Sequence, residues 1–180
     1  MLRRATMNAT PLLARLLKAL VEQKLEVVLI GNAAAAIHGA PVTTLDFDFM
    51  FREIPANMRK LKRAAASLGA TIMRPYYPVS RLYRLVHDAS GLQADFMPVI
   101  HGVRSFEGLR ARATKREIEG QQLLVASLGD IIASKRAADR QQDRAVLPIL
   151  EELSRALGDQ PAKKPARKSS PARRRTPKGS

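Results

Sequence analysis

Residues 45–51, Leu-Asp-Phe-Asp-Phe-Met-Phe, alternate strictly over their first five positions. Side chains of a strand alternate between its faces, so Leu45, Phe47 and Phe49 share one face and Asp46 and Asp48 the other. Such a segment must belong to a sheet whose phenylalanine side meets a core. Its other side then presents two carboxylates roughly 6–7 Å apart at Cα. Like charges held this way repel, and a bridging cation relieves them. All-oxygen sites suit magnesium or manganese. A pair of solvent-facing acids on an edge strand remains the plain alternative.

The upstream segment narrows the choice. Residues 25–30, apolar but for Glu26, form a run rich in β-branched residues, the pattern of a buried central strand. Gly31 ends it, and Asn32-Ala-Ala-Ala-Ala-Ile-His38 follows as a short helix stopped by Gly39 and Pro41. A glycine at a strand-to-helix turn lets backbone approach a phosphate closely. Asn32 adds a side-chain donor or a cap. A phosphate cradle beside a metal site is thus expected. Asp95, in Leu92-Gln-Ala-Asp-Phe-Met97, supplies a third acid if its strand lies next to residues 45–51. Three carboxylates can hold two magnesium ions for an in-line displacement, and Asp95 can also accept the proton of an attacking hydroxyl.

Around this centre the pattern predicts helices over 10–24, 55–68, 127–138 and 141–157. Further strands are expected over 71–74, 80–87, 92–99 and 119–125, while 105–117 reads as polar and irregular. Thr10 and Pro11 start the first helix, and Leu12, Leu13, Leu16, Leu17 and Leu20 form its apolar stripe. Asp88-Ala-Ser-Gly91 joins the strands of a hairpin. Ser127 with Asp130 makes a capping pair. The order predicts an α/β (α+β) fold, a mixed sheet flanked by helices. The organisation is an N-terminal helix over 1–24, a core domain over 25–157 whose part from 127 is helical, and a tail over 158–180.

The tail concentrates charge. Of a net +15, residues 161–180 carry +8 with no acid and four prolines, leaving +7 on the first 160. That composition predicts disorder and affinity for polyphosphate backbones, with a solubility role as the alternative. The chain has no cysteine, which excludes disulfides, a thiolate zinc site and a thiol nucleophile. The apolar residues after Pro11 are interrupted by Arg15 and Lys18, as in an amphipathic helix and not a signal peptide, and no apolar run is long enough to span a bilayer. A cytoplasmic location and no membrane partner are expected. His38 reads as a helix-end residue bonded to backbone, with a catalytic base as the sharper alternative. His87 and His101 show no ligand spacing. Tyr76, Tyr77, Tyr83 and Phe106 read as packing or loop anchors, with base stacking as the alternative.

Gly31-Asn32, then Thr44-Leu-Asp46-Phe-Asp48, then Asp95, together resemble the DNA polymerase β-type nucleotidyltransferase superfamily. Ser127-Leu-Gly-Asp-Ile-Ile-Ala-Ser-Lys135-Arg-Ala-Ala-Asp-Arg140-Gln-Gln-Asp143 resembles the C-terminal signature of its bacterial branch of AbiEii-type toxins and minimal nucleotidyltransferases. The resemblance implies transfer of a nucleoside monophosphate from an NTP to a hydroxyl, with Mg2+ or Mn2+. Gly31, Asn32 and Thr44 would then hold the nucleotide, and Asp46, Asp48 and Asp95 the metals. Lys135 and Arg140 would contact phosphate, and Asp143 would be a late acid near the active site. A tRNA or other nucleic-acid acceptor and a cognate antitoxin are the implied partners. A small antibiotic-type acceptor is the alternative within the class. A non-catalytic nucleic-acid-binding or interaction protein is the alternative outside it, because Val42 stands where relatives often carry an arginine. Arg52, Arg81 or Arg84 would have to substitute for that charge.

Overall fold

A computed structural model describes residues 9–44 and 46–158. The basic tail, the first eight residues and Leu45 lie outside the described residues, as do the expectations made for them.

Helix α1 (Ala9–Glu22) leads into β1 (Val27–Ile30), α2 (Gly31–Ile37) and β2 (Phe47–Phe51). Then come α3 (Pro55–Leu68), β3 (Thr71–Met73), β4 (Tyr83–His87) and β5 (Leu92–Met97). The chain closes with α4 (Phe106–Arg112), β6 (Thr114–Ile118), β7 (Gln121–Val125), α5 (Leu128–Ala138) and α6 (Gln141–Ala156). The seven strands form one mixed sheet in the order β3-β4-β5-β2-β1-β7-β6. β1 runs antiparallel to β2 and parallel to β7, and β2 runs parallel to β5.

The core explains the order. β1 is buried at every position, as a central strand flanked on both sides must be. Phe49 of β2 stacks on Phe96 of β5 at 5.1 Å, and Phe51 meets Phe96 edge-on. An aromatic pair of this kind adds about 1 kcal/mol beyond its buried area. Leu16, Leu17 and Leu20 bring α1 into the same core, where it packs on α3. Buried Asn57 locks the entrance of β1 to the exit of β2. Its Oδ1 accepts from the Glu26 N–H, and its Nδ2 donates to the carbonyls of Glu26 and Arg52. Pro55 opens α3, and Gly69 closes it in the left-handed conformation at φ 65.

The structure corrects several expectations. Residues 105–117 are not irregular: they hold α4 and most of β6. Ser105 caps α4, accepting from the Gly108 N–H at 3.0 Å. β6 is exposed at almost every position, so no alternation marks it. It is fixed by a two-residue turn in which Glu119 and Gly120 both have positive φ (51 and 73), the geometry that suits a tight hairpin. β4 begins at Tyr83 and not at 80, and β5 ends at Met97 and not at 99. Asp46 lies one residue before β2, outside the ladder. Among the described residues no helix is long and apolar enough to cross a membrane.

Candidate active site

One row of residues crosses the sheet. Ile30 of β1 pairs with Asp48 of β2, Asp48 with Asp95 of β5, and Asp95 with Arg84 of β4. Asp48 and Asp95 are therefore direct neighbours on adjacent parallel strands, an adjacency the sequence leaves open. Gly31 follows immediately, with φ 67. A Cβ at Gly31 would lie 2.7 Å from Asp48 Oδ2, so the carboxylate occupies the space a side chain would fill. Both the positive φ and this close approach require glycine.

The row opens into a cleft of about 750 Å³. Gly31, Asp48, Asp95 and Arg84 from the sheet line it together with Ser134, Lys135 and Arg140 from the C-terminal helices. Tyr76, Val79 and Val99 also line the cleft. These three are large apolar side chains left exposed, Val79 at 95%.

Helices α5 and α6 supply the cationic part of the lining. Ser127 caps α5 as expected, accepting from the Asp130 N–H. Asp139, left-handed at φ 48, ends the helix and turns the chain into α6. The elbow closes on Asp143, which has no exposed surface. Lys135 Nζ reaches Asp143 Oδ1 at 3.2 Å, and Arg140 Nε reaches Oδ2 at 2.7 Å. Burial alone would raise the Asp143 pKa, but the hydrogen bonds from Arg140 and Lys135 outweigh it and hold the carboxylate below its usual range. Asp143 does not line the cleft: it lies beneath the two cations and orients them.

Asp48 behaves in the opposite way. Its pKa is pushed up from 3.8 to about 6, first by burial and then by the carboxylates of Asp95 and Asp46, against a partial offset from Arg140 and Lys135. Among the described residues no salt bridge reaches it. Thr44 and Asp46 sit on the exposed margin and are not part of the cleft wall. The Thr44 hydroxyl accepts from the Asp46 N–H and donates to the Asp46 carbonyl, shaping that loop. Asn32 is also outside the cleft wall, and its Oδ1 is buried without a hydrogen-bond partner among the described residues.

Of the three arginines that could replace the missing loop charge, only Arg84 enters the acidic row. It donates to both oxygens of Asp95, at 2.8 Å each. Arg81 pairs with Glu53, and Arg52 with Glu26 and Glu107 while lying over the Phe106 ring. The expected gathering of three acid ligands is not found: among the described residues no group of three acids or histidines is placed to hold a metal ion. Asp48 and Asp46, oxygen donors without a salt bridge, fit a hard divalent cation, whereas Asp95 already has its counter-ion. His38 is a tether, its Nε2 2.8 Å from the Ala126 carbonyl oxygen. Tyr83 donates to Glu53, and Arg74 lies over the rings of Tyr77 and Tyr83.

Comparison of the sequence with protein-family models and with curated proteins finds no match. Solved structures do match. The lincosamide antibiotic adenylyltransferase LnuA, in its lincomycin-bound crystal structure, aligns with a TM-score of 0.57 and 15% identity, covering 78% of this chain and 95% of that one. The fold is nucleotidyltransferase-like. ANT(2")-Ia in complex with adenylyl-2"-tobramycin aligns on the nucleotidyltransferase-like fold at a TM-score of 0.56 and 16% identity, over 83% of this chain and 96% of that one. An antigenic nucleotidyltransferase-like protein from Paracoccidioides brasiliensis gives 0.53 and 16%, over 82% and 77%.

Proposed function

We propose that this chain is a nucleotidyltransferase that moves a nucleoside monophosphate from an NTP to an acceptor hydroxyl and releases pyrophosphate. The row Asp48–Asp95–Arg84, sharing one cleft with Lys135 and Arg140, carries the reading. Lys135 and Arg140 are held rigidly by Asp143, so their charges point at a polyphosphate without reorganising. Asp48, with Asp46 on the exposed margin beside it, would hold a divalent cation, Mg2+ or Mn2+, which would supply charge neutralisation on the transferred phosphate. Gly31 leaves room for Asp48 against the backbone. Asp95, fixed by Arg84, lies beside Asp48 in the cleft wall and is the group that would accept the proton of an approaching hydroxyl.

Two acceptor classes have support. The exposed apolar residues Tyr76, Val79 and Val99 along the cleft favour a small hydroxyl compound with an apolar face, and small antibiotic hydroxyl compounds are what the structures of similar fold hold. The net charge of +15 favours RNA, including a tRNA 3′ end, and with it a role as the toxin of a toxin–antitoxin pair. Incubation of the full chain with magnesium and each labelled NTP, with either total tRNA or a panel of small hydroxyl compounds, separates them. Label on one acceptor class with pyrophosphate release identifies it. Absence of NTP binding by calorimetry in wild type, with no change on Asp48→Asn, would remove the enzyme reading.

A further inference from the structure

The acidic row is neutralised unevenly. Arg84 reaches Asp95 across the antiparallel β4–β5 pair with two parallel hydrogen bonds, Nε to Oδ1 and Nη2 to Oδ2, each 2.8 Å. Both side chains are largely withdrawn from solvent. Planar fork-to-carboxylate pairing of this kind fixes orientation as well as charge. The hydrogen bond to Asp95 holds the Arg84 pKa above its ordinary value, and the Tyr76 phenol in the cleft adds to it. One strand away, Asp48 has the opposite condition: two acidic neighbours and no salt bridge among the described residues.

A divalent ion placed on Asp95 would sit within a few ångströms of the guanidinium carbon, and repulsion at that range in a partly buried site is strong. The guanidinium cannot relieve it by losing its proton. We infer that Arg84 takes the place of one divalent ion: it clamps Asp95 as a built-in cation, so that the cleft takes a single ion, on Asp46 and Asp48. Arg84 is thus a positioning residue that fixes the Asp95 carboxylate, and Asp95 is not a metal ligand. This rests on the nucleotidyltransferase reading of the cleft.

Manganese taken up by the full-length protein, counted from the loss of the free-ion signal in electron paramagnetic resonance, tests it. Wild type binds one ion per chain, and Asp95→Asn still binds one. Arg84→Gln gains a second ion, with affinity for it raised about tenfold or more over wild type. Arg84→Lys stays at one. The double variant Arg84→Gln/Asp95→Asn returns to one, which places the gained ion on Asp95 and does not depend on an unpaired buried acid being tolerated. Two ions in wild type, or an unchanged count in Arg84→Gln with native circular dichroism, overturns the role of Arg84 and leaves the proposed function standing. No ion in wild type or in any variant removes the cation-dependent reading of the cleft, and the inference with it.

Discussion

Asp48 and Asp143 are both withdrawn from solvent, yet they titrate in opposite directions. Asp143 is the more deeply buried, and its pKa falls. Asp48 is only half-buried, and its pKa rises to about 6. Burial pushes both upward: at Asp48 it is the leading cause and acidic neighbours add to it, whereas at Asp143 close cationic partners overturn it. Asp143 receives Lys135 and Arg140 at hydrogen-bonding distance. Asp48 has Asp95 opposite it and Asp46 two residues away, with the two cations acting only at longer range. Close ion pairs hold the elbow and clamp Asp95, while Asp48 has none among the described residues. Groups perturbed by burial plus like charge, and set in a cleft, are where ligand chemistry concentrates.

The same isosteric change at the two acids tests this contrast. Asp143→Asn leaves Lys135 buried beside a neutral amide, and urea unfolding at neutral pH is expected to show a loss of about 3–5 kcal/mol. A loss below about 1 kcal/mol would mean that the elbow is held by apolar packing and not by the ion pairs. Asp48→Asn is expected to do the reverse. The folded-state pKa of Asp48 lies above its ordinary 3.8, so its protonated form favours the folded state. That contribution is complete below about pH 4 and is lost as pH rises through about 6. Near neutrality Asp48→Asn should therefore raise stability by about 2 kcal/mol, shrinking towards nothing below about pH 4. A pH-independent effect would break the comparison. Binding of a divalent cation to wild type should fall as pH drops below about 6, where the proton competes for Asp48.

A smaller effect sharpens the Asp48 half. Gly31→Ala combines an unfavourable φ of 67 with a Cβ 2.7 Å from Asp48 Oδ2, for an expected loss of about 1–2 kcal/mol. In an Asp48→Ala background the contact vanishes, and only the conformational part, about 1 kcal/mol, should remain. An equal loss in both backgrounds would show that glycine is needed for its backbone alone.

Much of this site can be traced in the sequence because it is built from local rules. The apolar run ending at Gly31 placed a strand and turn, and alternation placed Asp48 and Asp95 on strands that then became neighbours. Ser127 and Asp130 marked the start of α5. Alternation does not say where a ladder stops, however: Asp46 continues the pattern by residue type but belongs to the loop tied by Thr44. The Arg84–Asp95 clamp was within reach through register. His87 pairs with Leu92 around Asp88-Ala-Ser-Gly91, and counting outward brings Arg84 opposite Asp95. α4 carries its own signal in Ser105 followed by Phe106 and Leu109, but it is only seven residues long. β6 has no apolar face, since it is an edge strand exposed at almost every position, and only the Glu119-Gly120 turn could have revealed it.

The tether from His38 to the Ala126 carbonyl joins residues 88 positions apart, beside the short parallel pairing of β1 with β7. On a ribosome that span separates the two halves of the cleft in time. By residue 97 the strands bearing Asp48, Arg84 and Asp95 have all been made, and they can pair with one another. The strand that closes the sheet next to β1, and the helices bearing Lys135 and Arg140, come only later. A nascent or truncated chain thus has Asp48 and Asp95 without Lys135 and Arg140, and the proposed site is complete only once α5 and the start of α6 have been made.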